Sequence, residues 1–383
     1  MAKVRFGDVV KEYKGKIDQK NNPYEFYVAG DHMDTDDLTI RRRGRFATDD
    51  VGPAFIREFK KGQVLYGSRR TYLRKIAVAD FDGVTANTTF VLETKDESIL
   101  RQRLLPFIMY TESFTEWSIK KSKGSTNPYV LFKDLADYEF ELPDIGKQDE
   151  LVELLWSMID TRDAYNNLIV SIDELVKSQF IEVFGDPVEN EKEWPVFPLS
   201  KIASSRLGKM LDKKKQTGLY QRKYLANANV QWFSFDLNDL NQMDFNEDDQ
   251  QEFSLVNGDL LVCEGGEIGR CAVWREEIND CYFQKAIHRV RCNTEMILPE
   301  YLAHSFFYHS QKNGFADIVS SKATIAHLPG DKLKAMGVIV PPIELQQQFV
   351  SFVEQSDKSK FELRKTLAEL TAMYKRIIQE NLV

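Results

Sequence analysis

Leu142-Pro-Asp-Ile-Gly-Lys-Gln-Asp-Glu-Leu-Val152 recurs 198 residues later as Val340-Pro-Pro-Ile-Glu-Leu-Gln-Gln-Gln-Phe-Val350. Each copy carries near its start a proline that ends the preceding element, and each opens a long stretch without further proline. After the first, Leu151, Leu155, Met158, Tyr165, Ile169, Ile172, Val176 and Val183 fall at alternating steps of four and three, with Arg162 and Gln179 in further seam positions. After the second, Phe349, Val353, Leu363, Leu367, Leu370, Tyr374 and Ile377 take the matching places, broken by Ser356, Lys360 and Asn381. Arg162 and Lys360 share one repeat position. That period is a coiled-coil seam. Each stretch of about 35 residues makes roughly 50 Å of helix. The plainer alternative is a helix that lays its stripe on its own domain, and both the length and the proline starts count against it. Two long helices paired antiparallel are expected.

The repeat extends upstream of each helix. Gly62-Gln-Val-Leu-Tyr-Gly-Ser matches Gly258-Asp-Leu-Leu-Val-Cys-Glu, a glycine turn leading into a short apolar strand. Arg74-Lys-Ile-Ala-Val matches Gly269-Arg-Cys-Ala-Val, and Tyr27-Val-Ala-Gly-Asp matches Tyr224-Leu-Ala-Asn-Ala. Thr126 and Thr324 are again 198 apart. The order is head, helix, head, helix. The expected fold is α+β: two similar heads of short strands and helices, separated by two long helices that form an antiparallel coiled coil with pseudo-twofold symmetry. Boundaries are expected at 1–141, 142–186, 187–339 and 340–383. The helices keep their register while the loops of the heads diverge, the pattern of a scaffold whose recognition surface varies.

Hydrophobic residues make up 43% of the 383 and charged residues 29%, as in ordinary globular proteins. No run of eighteen apolar residues occurs, so no membrane partner is expected. The N-terminus lacks the apolar core of a signal peptide. Cys263, Cys271, Cys281 and Cys292 form no C-x-x-C pair and read as free thiols, pointing to a cytoplasmic location. The net charge of −8 is unevenly spread: residues 1–140 carry +3, 141–186 carry −8, 187–340 carry −3, and 341–383 balance. The acidity belongs to the middle helix, and a local basic face is what phosphate binding needs.

Pro341-Pro-Ile-Glu-Leu-Gln-Gln-Gln-Phe-Val350 resembles the entry to the conserved helices of type I restriction–modification specificity subunits. Phe184-Gly-Asp-Pro followed by Trp194-Pro-Val-Phe-Pro-Leu is similar to that family's passage into a second target-recognition domain. Val262-Cys-Glu-Gly-Gly-Glu-Ile-Gly-Arg-Cys-Ala-Val-Trp and Phe283-Gln-Lys-Ala-Ile-His-Arg-Val are similar to segments within such domains. The resemblance covers essentially the whole chain. It implies two target-recognition domains, each reading half of a split sequence in double-stranded DNA, and a spacer helix pair that docks two adenine methyltransferase subunits. Motor-nuclease subunits are further partners it admits. No cofactor and no catalytic residue are implied for this chain. Leu142-Pro-Asp-Ile-Gly-Lys-Gln departs from the family's Pro-Pro and Glu-Gln pattern, which suggests a looser start to the first helix. The rival readings are a coiled-coil scaffold without DNA function and a stand-alone DNA-binding regulator.

Candidate DNA contacts follow from the need for cations at phosphates and forked polar groups at base edges. In the first head, Arg41, Arg42, Arg43 and Arg45 lie in five residues around Gly44, read as a loop; the alternative is a solvated cluster balanced by the acidic run Asp31–Asp37. Ser68, Arg69, Arg70, Tyr72 and Arg74 combine cations with an aromatic after a strand. Lys121, Lys123, Thr126 and Asn127 sit in a second basic loop, or in an ordinary solvated one. In the second head, Lys213, Lys214 and Lys215 form a basic run. Tyr224, Asn227, Asn229 and Gln231 lie near a strand end, where Asn or Gln suits adenine. Glu264, Gly265, Gly266, Glu267 and Arg270 form a Gly-rich loop without the Lys-Ser/Thr of a P-loop, and either glutamate can accept from cytosine. Ser321, Lys322 and Thr324 correspond to the first head's loop at 122–126.

Enzyme motifs fall short. Asn127-Pro-Tyr lacks the second proline of an amino-methyltransferase motif, and the cofactor turn is missing. Glu12-Tyr-Lys14 is preceded only by Asp8 and is no nuclease centre. The five histidines have no metal spacing, and His288, among alternating apolar residues, reads as a sheet histidine.

Overall fold

The structure is a computed structural model and describes residues 2–212, 214, 216–315 and 327–382. It divides into two compact units, Met1–Asn167 with Leu363–Val383, and Leu168–Glu362.

In the first unit, strand Ala2–Arg5 pairs antiparallel with Glu139–Leu142, bringing the start of the head to the foot of the first long helix. One four-stranded sheet runs Val10–Glu12, Thr89–Thr94, Val64–Gly67, Ile76–Val78. A second runs Gly44–Arg45, Phe26–Val28, Gly83–Ala86, Phe55–Phe59, with Phe26–Val28 parallel to Gly83–Ala86. Successive residues of a strand point to opposite faces. So Leu65, Ala77 and Val91 join Val28 and Phe59 in one core. Val64, Tyr66 and Leu92 turn the other way, into a larger core with Phe107, Phe114, Leu151, Leu155 and Ile378. Burial on both faces explains why these strands read as continuous apolar runs.

The second unit repeats the plan. Val196–Pro198 pairs with Gly337–Ile339. The main sheet runs Ala203–Leu207, Ile287–Cys292, Leu260–Cys263, Cys271–Val273, and a smaller one runs Asn241–Asp244, Gln221–Leu225, Cys281–Phe283, again with one parallel pair. Leu260 and Val262 face the helical core while Leu261 and Cys263 face the other. His288 lies in this main sheet, buried, with Nε2 3.0 Å from the Leu328 carbonyl.

The long helices, Ile145–Phe184 and Ile343–Leu382, each span 40 residues and start 198 residues apart. The departure at Leu142-Pro-Asp does not loosen the first: Asp144 caps it, its Oδ1 accepting from the Lys147 amide at 3.0 Å. One glutamine locks each helix to its own head. Gln148 donates to the carbonyls of Pro143 and Ile99, both at 2.9 Å, and accepts from the Arg101 amide at 3.0 Å. Gln346 does the same with Pro341 at 2.8 Å, Met296 at 3.0 Å and the Leu298 amide at 2.9 Å. The helices run antiparallel within each unit. In the first, Asn166 and Arg162 share a groove with Leu367 and Thr371. In the second, Lys360 Nζ bonds Asp173 Oδ1 at 2.8 Å and Phe184 packs on Phe349, ring centroids 5.4 Å apart. The two charged seam residues are both neutralised: Lys360 by Asp173 and Asp357, Arg162 by Asp37 of its head and by its neighbour Asp163.

Candidate nucleic-acid interface

The loop after strand Val64–Gly67 and the loop after strand Leu260–Cys263 are built alike. In the first head the Val130 amide donates to the Ser68 carbonyl at 2.9 Å, and Arg69 bridges to Tyr129. In the second the Leu328 amide donates to the Glu264 carbonyl at 2.6 Å, and Gly265 bridges to His327. Both loops need two residues in the left-handed backbone region. The second head uses Gly266 (φ +73) and Gly269 (φ +80), which adopt it freely. The first head places Arg70 (φ 49) and Arg74 (φ 48) there, at a cost of about 1 kcal/mol each.

Ion pairing sorts the first head's cations. Arg41 bonds Asp37 and Asp163, both at 2.6 Å, and so braces the head against the long helix. Arg42 pairs with Asp34 and Arg45 with Glu25. Arg43 lies 3.9 Å over the Phe26 ring. The run is therefore not a bare basic loop: Gly44–Arg45 is a short strand, closed by the Tyr27 ring lying where a Cβ on Gly44 would stand. The acidic run before it takes up Arg41 and Arg42, a balance that sequence order alone left open. Arg74 turns inward to Asp36 at 2.6 Å, Thr115 at 3.1 Å and the Tyr110 carbonyl at 2.8 Å. Ser68 is buried, its hydroxyl on the Thr88 carbonyl. Lys121 covers Trp117, and Lys123 pairs with Asp134. Thr126 and Asn127 are exposed at the tip of that turn. Arg69 and Arg70 remain, exposed and without a carboxylate among the described residues, beside an exposed Tyr72.

The second head arranges its candidates differently. Tyr224 is in the core and Asn229 is buried, bonding the Asp236 and Asp239 carbonyls, so neither presents an edge to solvent. Asn227 donates to the Gly265 carbonyl at 2.7 Å and accepts from Arg270 at 2.9 Å. Arg270 is thus an internal clamp that holds the Gly-rich loop to the end of strand Gln221–Leu225. Glu267 accepts from Trp232 Nε1 at 2.6 Å at the surface, and Gln231 bonds the Ala228 carbonyl. Glu264 is half-buried, and Lys214 is exposed. Lys213, Lys215, Ser321, Lys322 and Thr324 lie outside the described residues.

Sequence reasoning missed Asp244. It is buried, and its carboxylate accepts from the amides of Thr217, Gly218 at 2.9 Å and Tyr220 at 3.3 Å, the Thr217 hydroxyl at 2.8 Å and Gln221 Nε2 at 2.6 Å. Burial pushes this carboxyl up, and the bonds it accepts, Thr217's first, more than offset that and hold it well below the usual carboxylate range. Gly218, a turn residue at φ +77, was the only local signal. The trapped histidines are a second surprise. His304 is stacked on Phe233 at 4.3 Å, and burial, with the Lys360 charge behind it, lowers it to about 3.

Two heads of like topology, each seated on the paired ends of two long helices and varying in what its loops expose, define a tandemly duplicated two-headed protein. The model of the type I restriction modification DNA specificity domain matches residues 1–174 and again residues 191–372, and the chain belongs to that family. The type I restriction enzyme EcoDI specificity subunit of Escherichia coli is 25% identical over 182 residues, 46% of this chain and 39% of that protein. The chain thus spans well under two thirds of that relative's length. The fold is similar to the type I restriction-modification system S subunit from M. genitalium, with a TM-score of 0.60, 14% identity and coverage of 100% of this chain and 96% of that one. It is also similar to a chain from a structure of type I R-M system assembly and conformational transition, TM-score 0.62 at 16% identity, covering 99% and 97%.

Proposed function

We propose that this chain is the DNA-recognition subunit of a type I restriction–modification complex and performs no chemistry itself. Each head, 1–141 and 187–339, reads one half of a split double-stranded DNA target. The spacer helices, 142–186 and 340–383, set the distance between halves and dock two adenine methyltransferase subunits, with motor-nuclease subunits as further partners. No cofactor is held by this chain, and the complex works on cytoplasmic DNA.

One observation carries the reading: equivalent loops on the two heads share their backbone hydrogen bonds and differ in what they expose, the side chains of Arg69, Arg70 and Tyr72 on one, the bare backbone of Gly266 and the Glu267 carboxylate on the other. A free guanidinium suits guanine or phosphate, and a carboxylate suits the cytosine amine. Lys121, Lys123, Thr126, Asn127 and Lys214 supply backbone contacts around them. Arg41, Arg74, Arg270, Asn227 and Asn229 act one step back, positioning the loops.

A methylation map of genomic DNA from cells co-expressing the chain with its neighbouring methyltransferase tests this. A split motif methylated at adenine in both halves, and lost without the chain, is the expected result. A stable co-purified complex that adds no methylation overturns it in favour of a scaffold. Tight site-specific binding by the isolated chain would instead favour a stand-alone regulator.

A further inference from the structure

Residues 209–223, Lys-Met-Leu-Asp-Lys-Lys-Lys-Gln-Thr-Gly-Leu-Tyr-Gln-Arg-Lys, carry a net charge of +5 inside a head whose net charge is −3. Their large apolar side chains do not fold inward: Met210 is 62% exposed, Tyr220 42%, and Leu219 79%, the most exposed large apolar residue among those described. A single exposed leucine is ordinary. What distinguishes this one is the rigidity with which it is held out. The five bonds into Asp244 close the chain around Thr217–Gln221, the Gln216 side chain accepts from the Asp244 amide at 2.8 Å, and the Phe245 amide donates to the Tyr220 carbonyl at 2.9 Å. A buried carboxylate is thus committed to fixing a turn whose tip carries a bare hydrocarbon. The first head has no counterpart: before strand Phe26–Val28 it has the short turn Gln19–Asn21, tied down by Gln19 to the Gly52 and Phe55 carbonyls.

We infer that Leu219, held out on the turn that Asp244 ties, makes an apolar contact with the bases of the half-site read by the second head. The inference rests on the function proposed above and names a specificity residue within it. The charge around the tip selects the partner: exposed Lys214 and Lys223 flank it, matching a phosphate backbone. Leucine carries no hydrogen-bonding group, so it contributes by packing on a thymine methyl or a base face. Holding the turn in place beforehand removes backbone ordering cost from binding.

The test uses the complex of the full chain with its methyltransferase. Methyl transfer is followed into duplexes that carry each single base-pair change in either half of the mapped target. Leu219→Ala is expected to slow methylation of the unaltered target about tenfold, about 1.4 kcal/mol. It is also expected to flatten base preference at one or two adjacent positions of one half, with the other half's preferences unchanged. Thr217→Val, which removes one bond of the tie and keeps the leucine, is expected to act in the same direction by less. A rate within twofold of the unsubstituted chain with every preference intact overturns the inference. So does loss of the methyltransferase from purified Leu219→Ala complex, which would make the tip a protein-docking residue. If the unsubstituted complex methylates no split site, the underlying function fails, and this contact with it.

Discussion

The two heads share the strand order of one four-stranded sheet, a parallel pair in the second sheet and the glutamine lock, yet they spend their charges in opposite ways. The first head neutralises most of its arginines with nearby carboxylates and leaves Arg69 and Arg70 without one among the described residues, on a loop that holds Arg70 and Arg74 in the left-handed region. The second relieves the same loop with glycines, turns its arginine inward, and holds an apolar tip out on a different loop. A duplicated scaffold therefore fixes where loops emerge and leaves their chemistry free, as two unrelated half-sites would require.

The strongest test of this comparison is exchange. Replacing residues 187–339 by another head of the family is expected to change one half of the methylated motif completely and leave the other untouched. A change in both halves would break the modular reading. Next are the locks. Gln148→Leu and Gln346→Leu each orphan two carbonyls and one amide, and each is expected to cost about 3 kcal/mol in denaturant unfolding. Costs that differ by more than about 1 kcal/mol would show that the locks are equivalent in geometry only.

Acid distinguishes the units further. His288, His304 and His309 are all lowered by burial, and all belong to the second unit. For His304, with a folded value of about 3 against an ordinary 6.5, the folded form stays neutral while the unfolded chain takes a proton. Its stability is whole above about pH 6.5 and is lost as pH falls toward 3, at about 1.4 kcal/mol per unit. Between pH 6.5 and 5 His304 alone should soften the second unit by about 2 kcal/mol, read by hydrogen exchange, and His304→Phe should remove that share while leaving the smaller dependence of His288 and His309. Equal softening of both units would refute the assignment. The smallest effect expected is at the first head's loop. Arg70→Ala should slow methylation about tenfold, while Arg42→Ala, already paired with Asp34, should change it less than twofold.

Much was legible because it is periodic. The repeated Pro-x-Ile-x-x-Gln segment and the heptad stripes needed only spacing to be read, and the two helices start 198 residues apart, as that spacing requires. Tyr224, Asn229 and Arg74 were misjudged for one shared reason. A polar side chain near a strand end looks the same in sequence whether it faces water or closes a turn. The partners that decide it, Asp236 for Asn229 and Asp36 for Arg74, lie on other segments.

The sequence by itself determined the duplication, the helix register and the family, since each is written in spacing and local pattern. Tertiary structure alone decided which charges are free. Arg41 is neutralised by Asp163, which lies 122 residues away, and Leu219 is held by Asp244 across a strand pair. Coulomb and hydrogen-bond energies depend on distance in space, and only the fold sets that distance.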